Sequence, residues 1–350
     1  MIPHSRPTLG PEDQAAVAEA IASGWVAEGP RVARFEAAMA EQIGAAGAVA
    51  AASGTLALVL ALRALEVELR DEVILPTYVC RNVWDAVVYV GATPILADVE
   101  PGGFQIDPDS ARARLTRRTK AIIIPHVFGQ VADLDELLAL GPPMIEDCAH
   151  ALGARSRGRP VGAHGTLAIC SFRATKLLCT GEGGMVLANS RALADRLRDL
   201  RSPEASTARF AFPMTDLQAA MGLAQLERFP AFLARRAEIA TRYRAVATEV
   251  GWGLPAEREG AEAVAYRLVV DPRLDLDEAI AAFARRGVTA ARPVPQPLHR
   301  LFGGRAADFP GAEAASRTAL SIPIYPSLTP GEVEAVCRAC REVAALPQRV

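Results

Sequence analysis

Between residues 47 and 147, short apolar runs alternate with helical patterns, and this rhythm restricts the chain to few folds. AVAAA, VILP, PILADV, AIIIPHV and MIEDC read as buried strands. LALVLALRAL, NVWDAVVYVG, DPDSARARL and DLDELLAL read as the helices between them. Strands joined by helical crossovers form a largely parallel sheet with helices on both faces. Ligands in such sheets sit beyond the carboxyl ends of the strands. Asp147, next to last in MIEDC, and the Ser53-Gly54-Thr55 turn after AVAAA both lie at such ends.

The flanks extend this pattern. PEDQAAVAEAIASG reads as a helix with Pro11 near its start and Gly24 past its end. GWVAEGP is a loop, and RVARFEAAMAEQIG is a second helix with Val32, Phe35, Met39 and Ile43 on one face. ARSRGRPVG resembles a hairpin, and LAICSF and GGMVLAN are two further strands. A helix SRALADRLRDL and an irregular loop RSPEASTARFAFPM follow. A helical region opens at TDLQAAMGLAQLERF, where Pro230 marks a kink or a break, and resumes through AFLARRAEIATRYRAVATEV. Beyond it AVAYRLVV reads as a strand, LDEAIAAFARRG as a helix and VTAARPVP as extended. AEAASRTAL is helical, SIPIYPSL extended and TPGEVEAVCRACREVAAL the last helix. The expectation is an α/β large domain over 1–235 and a smaller α+β domain over 236–350.

With 350 residues the chain is long enough for two cores. A net charge of −2 points to no nucleic-acid or membrane partner. The six cysteines are scattered and MIPHSRPTLG is no secretory leader, so a reduced, cytoplasmic protein is expected. The uncharged stretch from Gln42 to Leu62 could span a bilayer, but Ser53-Gly54-Thr55 interrupts it, and a strand, a turn and a helix explain it better. Cys337 and Cys340 form a CxxC that shares helical spacing with Val333 and Val343, which places them on a buried face; no metal is expected.

The chemistry concentrates between Met144 and Asn189. Asp147, His150 and Lys176 bring an acid, a base and an amine together in sequence, as a covalently held electrophilic cofactor requires. The chain has only two lysines, and arginine cannot serve as an amine nucleophile. Lys120 belongs to the charged run LTRRTK, whereas Lys176 is flanked by small and apolar residues. Gly54 and Thr55 open a helix whose free N–H groups suit a phosphate, although such turns often merely cap. Asp147 as a helix N-cap and His150 as a core histidine bonded to backbone are the plainer alternatives. No GxGxxG occurs, so a nicotinamide site is unsupported.

These stretches resemble the DegT/StrS-type aminotransferases, pyridoxal-phosphate (PLP) enzymes acting mostly on nucleotide-linked keto-sugars. The resemblance runs from RPTLGPED and SGWVAEGPRVARFE through AASGTLALVLALRAL, DEVILPTYV, VGATPILADVEP and PHVFGQVADLDEL. It is most specific in IEDCAHALGA and SFRATKLLCTGEGGMV, and it continues to MTDLQAAMGLAQL and SIPIYPSLTP. It implies the PLP-dependent transferase fold, with a mostly parallel seven-stranded sheet between helices and a smaller α+β C-terminal domain. It also implies PLP as cofactor, an amino-acid donor such as glutamate, a keto-sugar or cyclitol acceptor, and a homodimer with sites between subunits. Residue by residue, Lys176 matches the lysine bonded to the cofactor, and Asp147 the carboxylate facing the pyridine nitrogen. His150 matches the position beside O3′. Gly54, Thr55 and Ser171 match the phosphate site.

Three positions depart from the family pattern. Cys80 stands two residues after Tyr78, where an aromatic usually stacks on the cofactor ring, leaving either Tyr78 to serve or a less stacked ring. RFAFPM puts Ala211 in place of an asparagine that reaches the neighbouring subunit's phosphate, and Pro213 in place of an arginine, with Arg209 the nearest substitute. Two rival functions follow from the same residues: a PLP-dependent sugar dehydratase, whose relatives carry histidine in place of this lysine, and a non-catalytic PLP-binding partner protein.

Overall fold

A computed structural model describes residues 1–201 and 212–346. Helices α1 (Pro11–Ala22) and α2 (Pro30–Ile43) lead into β1 (Gly47–Ala51). The chain then alternates through α3 (Gly54–Ala64), β2 (Glu72–Pro76), α4 (Arg81–Tyr89) and β3 (Thr93–Ala97). It continues through α5 (Pro108–Arg112), β4 (Thr119–Pro125), α6 (Leu134–Leu138) and β5 (Met144–Asp147). A hairpin of β6 (Arg155–Ser156) and β7 (Arg159–Pro160) precedes β8 (Leu167–Ser171) and β9 (Gly184–Ala188). Next come α7 (Arg191–Arg201), α8 (Asp216–Glu249), β10 (Ala261–Glu262) and β11 (Leu268–Val270). The chain closes with α9 (Leu276–Arg285), α10 (Leu298–Leu301), α11 (Pro310–Thr318), β12 (Leu320–Ile322) and α12 (Pro330–Ala344).

The seven-stranded sheet has the order β1-β9-β8-β5-β4-β2-β3. Only β9 runs against the rest: it pairs antiparallel with both β1 and β8, and the other pairings are parallel. The carboxyl ends of β1, β4, β5 and β8 therefore meet at one edge. Successive strand residues feed opposite cores: Val49 and Ile123 join one apolar cluster, and Ala48, Ala50, Ile122 and Ile124 the other. A third cluster is assembled from Ile239 to Val343, with Ile2 packed against it, and residue 235 lies inside α8.

Two local expectations need correction. Of the kink or break expected at Pro230, the break does not occur: helix α8 runs on for 34 residues through it. Phe229 and Phe232 are both buried beside it, and their packing offsets the hydrogen bond that proline removes. The AVAYRLVV stretch contributes only Leu268–Val270 to a strand. Its first part docks on the turn that follows β4 instead: Val264 N–H donates to Gly129 O and Arg267 N–H to Phe128 O. Gly129 has φ +93°, and a Cβ there would lie 1.9 Å from Val264 O, so only glycine permits this approach.

The uncharged Gln42–Leu62 stretch is the end of α2, β1, a turn and α3. Among the described residues no helix is long and apolar enough to cross a membrane. Val333, Cys337, Cys340 and Val343 are all buried on one face of α12, and both cysteines are free.

Candidate active site

A cleft of about 610 Å³ opens at the carboxyl ends of β4, β5 and β8. Its floor is the turn from β1 into α3. Ser53 caps α3, its Oγ accepting the Leu56 N–H at 3.2 Å. The N–H groups of Gly54 and Thr55 have no acceptor among the described residues, as expected for the first turn of a helix. A Cβ on Gly54 would lie 2.7 Å from Ser171 Cβ, so glycine keeps the space between turn and strand open. Asn82 Nδ2 donates to Thr55 Oγ1 at 2.9 Å and braces the far wall. Free amides at a helix N-terminus, a hydroxyl and a cradle that a side chain would fill suit a phosphate.

Asp147 is the last residue of β5, where its parallel neighbours Pro125 and Ile169 fix its position. A turn rather than a helix follows, so it is no helix N-cap; Oδ1 accepts the Ala149 N–H at 2.9 Å. Burial pushes its carboxyl up, opposed by that N–H and by Lys176. Lys176 lies on the loop between β8 and β9, its N–H donating to Arg173 O at 2.8 Å. Its Nζ is 5.4 Å from the centroid of the Tyr266 ring. Lys120, at the start of β4, does not line the cleft.

His150 faces the cleft with its ring stacked on Tyr266, centroids 4.2 Å apart. Its Nδ1 accepts the Phe128 N–H at 3.4 Å, which leaves the proton on Nε2. Burial, then the charges of Lys176 and Arg267, hold this imidazole well below its usual range, so it is neutral. Burial alone would push the Tyr266 phenol up; Lys176, Arg267, Arg236 and a Thr175 hydrogen bond outweigh it and bring it down.

Cys80 caps the start of α4 and lines the cleft, open to solvent yet enclosed by protein atoms that push its thiol up. Tyr78 is not brought to the cleft. It is 1% exposed, 6.0 Å from Phe104 and 6.3 Å from Phe128, and backs the wall from behind. Pro213 is half-buried before α8, whereas Arg209 and Ala211 lie outside the described residues.

Several lining residues escaped the sequence reading: Asn82, His126, Phe128, Tyr266 and Arg267. Only His126 carried a signal, a histidine at the carboxyl end of a parallel strand. Its Nδ1 accepts the Ala132 N–H and its Nε2 meets Glu146 Oε2 at 3.2 Å. His126, Glu146 and Cys148 could geometrically surround a metal ion. However, Glu146 also accepts N–H groups from Gly162, His164 and Gly165, so its lone pairs are already engaged. A larger cavity, about 670 Å³, adjoins the cleft and shares Phe128 and Arg267 with it, but it contains no lysine. Chemistry rather than size therefore identifies the site.

This sheet, with a lysine and a strand-end aspartate above a helix N-terminus, defines a PLP-dependent aminotransferase. The chain belongs to the DegT/DnrJ/EryC1/StrS aminotransferase family, which it matches over residues 7–341. It is 34% identical to the spore coat polysaccharide biosynthesis protein SpsC of Bacillus subtilis, over 98% of this chain and 97% of that protein. Its fold matches the aminotransferase TlmJ of Streptoalloteichus hindustanus with TM-score 0.93 and 34% identity, over 99% of each chain. It matches the candidate sugar aminotransferase Spr1654 of Streptococcus pneumoniae, solved in its PLP form, with TM-score 0.92 and 26% identity over 98% of each chain.

Proposed function

We propose that this enzyme moves an amino group from an amino acid, glutamate foremost, to a nucleotide-linked keto-sugar or related cyclitol, in amino-sugar or surface-polysaccharide biosynthesis. The observation that carries this reading is the shared cleft: Lys176 and Asp147 both line it above the open α3 turn, and the lysine opposes the upward push of burial on the Asp147 carboxyl. Bound PLP supplies an electron sink conjugated to the reacting nitrogen. The N–H groups of Gly54 and Thr55 and the Ser171 hydroxyl would hold its phosphate. Asp147 would accept the hydrogen bond of the ring nitrogen and keep that proton in place. His150, with its proton on Nε2, would serve as a donor to the ring oxygen. Lys176 would be the amine that holds the cofactor, and its Nζ, when not so engaged, would serve as the base for the proton on the donor's α-carbon.

The enzyme is proposed to act as a cytoplasmic homodimer. Trp25 at 58% and Phe212 at 48% exposure, large apolar side chains that a partner would cover, support the dimer. Incubation with glutamate tests the function: the visible band of lysine-bound cofactor should bleach and 2-oxoglutarate should appear. A band that forms unchanged in Lys176→Ala would refute the assignment. Release of a deoxy-sugar rather than an amino-sugar would transfer the reading to a dehydratase.

A further inference from the structure

Arg267 is the cleft arginine that pairs with no acid among the described residues. Arg173, also lining the cleft, pairs with Glu182 at 3.6 Å. Arg267 forms no ion pair among the described residues. Its side-chain hydrogen bonds among the described residues all leave from one nitrogen: Nη1 donates to Ser5 Oγ at 2.6 Å, His4 Nδ1 at 3.1 Å and His4 O at 3.5 Å. Nε and Nη2 have no partner among the described residues, and neither is a buried unpaired atom. The Nε–Nη2 edge of a guanidinium is the edge that takes a carboxylate through two parallel hydrogen bonds.

The arginine is also fixed in place. His4 holds Nη1 from one side and is itself tied to Ser321 Oγ at 2.9 Å, and the guanidinium lies 5.0 Å from the Tyr266 ring centroid. Lys176 Nζ and Arg267 Cζ both lie within 5.4 Å of that centroid. In an amino acid the carboxylate is bonded to the carbon that bears the amine, so it must sit beside the reacting lysine. The phosphates of a nucleotide-linked sugar are separated from the keto carbon by the sugar ring and lie further off.

We infer that Arg267 receives the carboxylate of the amino donor, and that the N-terminal segment through His4 and Ser5 is the brace that presents its free edge. This inference deepens the aminotransferase reading and rests on it. The test uses the full-length holoenzyme and three probes: glutarate, a non-reacting carboxylate, titrated by calorimetry; L-glutamate, followed by bleaching of the visible band; and a keto-sugar acceptor added to the amine-loaded enzyme. Arg267→Gln should weaken glutarate binding and raise the glutamate concentration for half-maximal bleaching by about 10- to 100-fold. Arg267→Lys should recover only part of this, because an ammonium lacks the fork. Both variants should keep the wild-type visible band, which shows that the cofactor site is folded. Wild-type glutarate and glutamate binding in Arg267→Gln would overturn the inference, and so would a defect confined to the acceptor step. If no amino acid bleaches the wild-type band, the proposed function fails at the donor step, while the glutarate titration still decides for or against Arg267.

Discussion

The His150 ring lies 4.2 Å from the Tyr266 ring and 17° from parallel, so the turn after β5 is packed on a residue just before β11. The same tyrosine lies beneath Lys176 and Arg267. Tyr266→Ala removes one partner of a stacked pair worth about 0.5–1.5 kcal/mol. Spectrophotometric titration should show PLP affinity reduced by about 2- to 10-fold, with Tyr266→Phe close to wild type. Equal affinities for the alanine variant and the wild type would mean that the stack does not orient His150.

The cradle between Gly54 and Ser171 has no room for a methyl group. A Cβ at position 54 would sit 2.7 Å from Ser171 Cβ and 2.9 Å from its Oγ, so turn and strand must move apart. Gly54→Ala should weaken PLP by more than about tenfold, through a displaced phosphate site, with at most about 1–3 kcal/mol lost in stability. The double variant Gly54→Ala, Ser171→Gly should regain part of the affinity. No recovery would locate the damage elsewhere.

Asp147 trades stability for chemistry. Its free carboxyl ionises near pH ~4, and burial raises the folded value above that. Between the two values the native chain holds more protons than the unfolded one, so stability falls as pH rises through that interval. Asp147→Asn should therefore raise the Tm of the cofactor-free protein at pH 7 and remove activity with glutamate. A lower Tm would show that the carboxylate is stabilised in the apo state.

Much of the fold was legible because the apolar pattern of each element is written locally, although strands find their partners far away: β1, α3 and β2 are apolar runs that must be buried. Asp147, His150 and Lys176 were legible because they fall within one continuous stretch. Tyr266 and Arg267 were not, because their position depends on hydrogen bonds from Val264 and Arg267 to Gly129 and Phe128, distant in sequence. A reading of AVAYRLVV as one strand misses that its first half docks elsewhere. The place of Tyr78 was not legible for a related reason: beyond β2 its ring packs on Phe104 and Phe128, which only the folded chain brings near.

His4 makes the N-terminal brace sensitive to acid. Burial, then the charge of Arg267, lowers its pKa from 6.5 to about 3. An unfolded chain takes up the proton as pH falls below about 6.5, whereas the native chain does so only near 3. Within that window the unfolded state binds more protons, so stability is lost as pH falls and is regained as it rises. One proton bounds the effect at about 1.4 kcal/mol per pH unit. His4→Gln keeps an acceptor for Arg267 and a donor for Ser321 but cannot be protonated. Urea unfolding at pH 7 and pH 5 should show a smaller loss of midpoint in His4→Gln than in wild type, with the two proteins close at pH 7. Other groups titrate over the same interval in both proteins, so the difference between the two losses is the quantity that reports on His4. Identical losses would mean that the native imidazole accepts its proton as readily as the unfolded one, and that the contact with Arg267 opens in solution.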